Sequence, residues 1–138
     1  MNEYLETNKI LDSGTKDDKI SILESLSQSS DQKIINKIII KLDDSEIEVR
    51  GEAFSSLFLN KNDISQFLIN ALSLENKSVK AFAALVLANR GDTNAIPALE
   101  SLSKDPSSMV RDCALGALEY LRTNKTSKKI DSGGPEGI

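Results

Sequence analysis

The 138-residue chain contains no histidine, no tryptophan and one cysteine, Cys113. Without imidazole there is no His general base, no Ser-His-Asp or Cys-His nucleophile pair, and no zinc site that needs a His ligand. A Cys-only zinc site and an internal disulfide both fail on the count of one. A reducing cytoplasm is therefore the expected compartment. No apolar run approaches the roughly 18 residues of a membrane-spanning helix. The opening Met1-Asn2-Glu3-Tyr4-Leu5-Glu6 lacks the basic region and apolar run of a secretion signal. The net charge of −4 is the wrong sign for a chain that must neutralise phosphates. What is left, 39% hydrophobic and 28% charged with only 4% aromatic, fits an ordinary soluble helical domain.

What is present is a repeat. Val110-Arg111-Asp112-Cys113-Ala114-Leu115-Gly116-Ala117-Leu118 echoes Val49-Arg50-Gly51-Glu52-Ala53-Phe54-Ser55-Ser56-Leu57 and Val79-Lys80-Ala81-Phe82-Ala83-Ala84-Leu85-Val86-Leu87. Each has Ala four residues and Leu eight residues after its Val. The Val positions 49, 79 and 110 set a period that marks stacked units rather than a single globular core. A second set recurs in phase: Ile39, Ile69 and Leu99, then Leu42, Leu72 and Leu102. Apolar residues three and four apart in both sets are helical, not strand-like. The unit is a helical hairpin built from segments near 34–42, 64–73 and 95–103 and near 46–59, 76–89 and 107–122.

Helix starts are expected where Thr15 precedes Asp18, Ser45 precedes Glu48 and Asp63 precedes Gln66, the capping-box spacing. Asp105-Pro106 would place a capping carboxylate before a Pro at the first helical position. Gly91, after Asn89-Arg90, suits a helix C-terminal cap. Residues 1–14 are expected to form a half-repeat or a frayed helix, since Leu11 sits one period before Leu42. Residues 123–138 read as a flexible tail, polar at first and then rich in Gly and Pro.

Asp followed five residues later by Val-Arg, then Ala and Leu, resembles HEAT repeats, especially the short phycobilisome-lyase-like type. Asp44 with Val49-Arg50 and Asp105 with Val110-Arg111 carry this spacing, whereas Glu75 to Val79 is one residue shorter and Lys80 replaces Arg. The resemblance covers 15–122 and implies an all-α fold, a right-handed α–α superhelix of about three to four hairpins. It also implies that Asp44, Arg50, Asp105 and Arg111 bridge neighbouring repeats. The repeat itself, the acidic balance and the missing catalytic residues together point to a non-enzymatic, cytoplasmic scaffold that binds another protein. The lyase-like resemblance alone carries the alternative, an accessory role in chromophore or cofactor attachment.

No catalytic constellation emerges. Asp17-Asp18 and Asp43-Asp44 stand at helix starts, where negative charge suits the dipole. Cys113 takes the place of Phe82 in the preceding unit and reads as a small core residue. No cofactor and no metal is expected, and a monomer is favoured.

The expected partner surface is a ladder across one helix row, on the inner, concave side that the resemblance implies. On a helical wheel Ile34, Ile35, Ile38, Ile39 and Leu42 share the buried arc of their helix. Lys33, Asn36, Lys37, Ile40 and Lys41 face the other way. One period on stand Gln66, Phe67 and Asn70, and then Glu100. The ladder is basic at one end, polar with Phe67 in the middle and acidic at the far end. Ile40, apolar among lysines, is the expected anchor. The same lysines and those of 125–129 offer a competing nucleic-acid surface, although lysines three to four apart are more often simply solvated. Phe54 and Phe58, four apart, form a second candidate, either packed on a neighbouring helix or exposed as an aromatic patch.

Overall fold

The computed structural model describes residues 2–133, with side chains described from 4 to 123. These residues form eight α-helices and two 3-10 turns, and among them there is no strand. The helices are α1 (Asn2–Ser13), α2 (Lys16–Ser25), α3 (Gln32–Ile40), α4 (Ile47–Leu59), α5 (Ser65–Ala71), α6 (Lys77–Arg90), α7 (Ile96–Leu102) and α8 (Ser108–Gly133). The 3-10 turns, Lys41–Asp43 and Thr93–Ala95, follow α3 and lead into α7.

Consecutive helices pack as four hairpins, α1/α2, α3/α4, α5/α6 and α7/α8, and the hairpins stack into an α-solenoid. Its first layer runs from α1 to α3 to α5 and on to the turn before α7; its second layer runs α2, α4, α6, α8. One continuous core lies between them. It contains Leu11, Leu23, Ile35, Ile38, Leu42, Leu57, Leu68, Leu87, Leu99 and Leu121, all essentially fully buried. Each such side chain contributes about 1.5–3 kcal/mol of burial. No single hairpin could enclose that surface, so stability comes from stacking. The first hairpin takes full part in it, because Leu11 and Thr7 of α1 are buried.

The repeat shows most plainly in α6. Ala81, Ala83, Ala84 and Ala88 are buried along with Val79, Val86 and Leu87. These small side chains let α8 lie close against α6. α6 ends as its sequence demands: Gly91 adopts the left-handed conformation at φ 76° and its N–H bonds back to Ala88.

Three helix starts differ from their expected caps. Thr15 does cap α2, accepting from Asp18 N at 3.1 Å. Ser45 does not cap α4; the helix begins at Ile47, and Asp44 takes up the Glu46 N–H at 3.0 Å. α5 begins at Ser65 with no side-chain cap, Asp63 instead accepting from the Ser65 hydroxyl at 3.3 Å. Pro106 lies ahead of α8 rather than at its first position, and Asp105 accepts from Ser107 N at 3.0 Å. In each case the acid folds the preceding loop into a tight turn, which delays the helix by one or two residues. The segment expected to be a flexible tail from 123 lies in α8 as far as Gly133; 134–138 are outside the described residues.

Candidate functional site

The first layer presents its outer face through α3 and α5. α3 is fixed by Asp31, whose carboxylate accepts from Lys33 N at 2.9 Å, and by burial of Ile34, Ile35, Ile38 and Ile39. That burial turns Asn36 and Ile40 outward. Asn36, Ile39 and Ile40 then form one wall of a cleft of about 270 Å³, with Phe67, Asn70, Ala71 and Leu74 of the α5 segment opposite. Ile40 is 51% exposed and Leu74 43%, while Phe67 is half-buried against the core. The result is a short apolar trough rimmed by two asparagine amides. Gln66 donates to Asn70 Oδ1 at 2.9 Å, which orients one of those amides.

The structure divides the nine ladder residues. Asn36, Ile40, Phe67 and Asn70 come together in the cleft, with Gln66 bonded to its rim. Lys33 lies over the Tyr4 ring, 5.7 Å from its centroid, at the opposite end of α3. Lys37 pairs with Asp12 of α1 at 2.5 Å, and Lys41 lies 3.6 Å from the Asp44 carboxylate. Glu100 does not line the cleft and is bound by Arg122 of α8 at 2.7 Å.

Leu74 is the cleft residue that the repeat pattern passes over, because it lies three residues beyond the end of α5. The signal was available: Phe67, Ala71 and Leu74 continue the helical spacing of four and then three past the helix end.

Beyond Ile40 and Leu74 the cleft opens into a charged recess of about 460 Å³, lined also by Asp12, Lys19, Lys41, Asp43, Asp44 and Glu75. Asp44, on the wall of this recess, is buried. Burial pushes its carboxyl up, but the Glu46 amide, the Lys19 bond and the charges of Lys19 and Lys41 outweigh burial and hold it below its ordinary value. Asp12 is likewise lowered, chiefly by its bond to Lys37.

The second layer carries a separate apolar groove of about 310 Å³, lined by Ile47, Arg50, Gly51, Phe54, Phe82 and Leu85. Phe54 is half-buried there, whereas Phe58 is 42% exposed. Cys113 is half-buried beside the core, and burial, with Asp112, pushes its thiol up, away from the reactive thiolate. Among the described residues no group of three His, Cys, Asp or Glu is placed to hold a metal ion, and no helix is long and apolar enough to cross a membrane.

Residues 65–131 match the family model of HEAT repeats. The match spans α5 to α8, and the two hairpins before it repeat the same packing, which supports a HEAT-repeat reading of the array. Among curated proteins, none matches the chain.

Proposed function

We propose that the chain is a non-enzymatic interaction module that seats an apolar segment of another protein in the cleft between α3 and α5. Ile40 carries the reading. Its own helix buries four neighbouring isoleucines, yet this one stands half out in solvent beside Phe67 and Leu74. An exposed apolar side chain next to an apolar trough, with amides at the rim, is the pattern of an interface anchor. A monomer acting in the cytoplasm is part of the same proposal.

The competing nucleic-acid reading loses support from the ion pairs of Lys37 and Lys41, since paired lysines neutralise fewer phosphates. The side chains of 125–129 lie outside the described residues. The phycobilisome-lyase-like subtype, with its accessory role in chromophore attachment, rests on the resemblance alone.

The test is site-specific photocrosslinking from position 40, with position 58 in the second layer as the comparison. Crosslinks to a protein from 40 and not from 58, lost on Phe67→Asp with the helical circular dichroism retained, are expected. Equal capture from both positions would remove the cleft from consideration.

A further inference from the structure

Of the lysines that make this end of the array basic in sequence, Lys37 and Lys41 are already paired, and Lys33 lies over the Tyr4 ring. Lys37 is held by Asp12, and Asp44 takes Lys19 at 3.1 Å and Lys41 at 3.6 Å. Two carboxylates of the same recess have no cation partner among the described residues. Asp43 accepts only from the neutral amide of Asn76, at 2.6 Å. Glu75 is exposed and makes neither an ion pair nor a hydrogen bond there. Four carboxylates therefore face three ammonium groups, and the surplus sits on the solvent side.

Ile40 and Leu74 line both the apolar cleft and this recess, which makes the two continuous. We propose that the occupant is a segment of another protein with an apolar anchor followed by Lys or Arg, its cation placed against Asp43 and Glu75. The proposal rests on the cleft being a docking site and adds the charge of what docks. An acidic segment would meet the surplus carboxylates and be repelled.

The experiment uses two synthetic helical peptides with the same leucine stripe, one with Lys and one with Glu at the flanking positions. Both are titrated into the isotopically labelled full chain and followed by NMR. The Lys peptide should shift the Ile40, Phe67 and Leu74 resonances and bind at least about tenfold more tightly than the Glu peptide, the scale of one or two charge-assisted contacts. The pair Asp43→Asn and Glu75→Gln should remove most of that difference. Asp112→Asn with Glu119→Gln, the same change of charge on α8, should leave it intact. Equal binding of both peptides at the cleft, or equal loss with the α8 variants, overturns the charge assignment and leaves the cleft standing. No shift at Ile40, Phe67 or Leu74 with either peptide overturns the docking site and this inference with it.

Discussion

Lys80 and Asp105 form an ion pair at 2.5 Å across 25 residues, and Lys19 forms the same pair with Asp44, also 25 residues on. Lys19, Arg50, Lys80 and Arg111 occupy one repeat position. The two lysines reach forward to the acid of the next loop. The two arginines bend back instead, Arg50 to the Asp44 carbonyl and Arg111 to the Asp105 carbonyl, both at 2.8 Å. Each Asp is thus a node, its carboxylate tied to the previous hairpin and its carbonyl to its own helix. Lys80→Met should lower the melting temperature while keeping the helical signal. Lys80→Arg should recover only part of it, because a guanidinium fork does not reproduce the compact ammonium contact. A melt unchanged by Lys80→Met would show that the node is incidental.

These nodes set an acid limit on stability. Asp105 is lowered first by the Lys80 bond, and Asp44 stays low against its own burial. A carboxyl with a lower pKa folded than unfolded binds fewer protons in the folded state between the two values. Stability there rises with pH, is fully present above the ordinary carboxylate range, and is lost as pH falls through the lowered values. Chemical denaturation midpoints should be level near neutrality and drop in acid, with a shallower drop for Asp44→Asn. An identical slope for that variant would disconnect Asp44 from acid unfolding.

Glu52 has the opposite sign. Burial, and then the charge of Glu24, push its carboxyl up, so ionised Glu52 destabilises the fold at neutral pH. That penalty disappears as pH falls through the raised value. Glu52→Gln should be more stable than the parent at neutral pH by under about 1 kcal/mol, the scale of partly exposed charge pairs. The gain should fade in acid; a gain independent of pH would point to packing instead.

The sequence made the hairpins legible because burial repeats with the period. Ile34, Ile35, Ile38 and Ile39 show inward on α3 just as their wheel predicts. The electrostatics were legible only in part: the resemblance implied that Asp44 and Asp105 bridge repeats, as they do, but through Lys19 and Lys80, while Arg50 and Arg111 bond within their own hairpins. Lys37 meets Asp12, and Lys19 meets Asp44, only because stacking brings α1 and α2 beside the end of α3 and the loop after it. No helical wheel contains that contact. The ladder therefore read as basic where the folded surface is not. The Arg-to-Lys change at 80 likewise read as a departure from the motif, although it supplies the contact between hairpins.

Gly51 and Gly116 sit inside α4 and α8, and a Cβ built on either meets no atom within 4 Å. Neither has a positive φ, so internal packing does not require glycine at either place. Gly51→Ala and Gly116→Ala should each stabilise by about 0.5–1 kcal/mol through reduced backbone freedom in the unfolded chain. Gly91→Ala, at φ 76°, should cost about 1 kcal/mol or more by straining the cap. Denaturant melts of the three variants check the signs, and a destabilised Gly51→Ala would indicate a backbone contact not evident in this fold.

Ala83 tests the shared interior itself. It is fully buried on α6, the helix packed between α4 and α8 in the second layer and against α5 from the first. A carboxylate there would have no cation within the apolar interior and no route to water except by separating hairpins. Ala83→Glu should cost more than about 4 kcal/mol, a large share of the roughly 5–15 kcal/mol that holds a typical domain folded. Ala83→Ser, with a small hydroxyl able to bond back to a helix carbonyl, should cost far less. Because hairpins touch only their neighbours, damage at α6 should also release α8 and α4 before α1, read as early hydrogen exchange along α8. If Ala83→Glu melts like the parent, the hairpins do not depend on one another for burial.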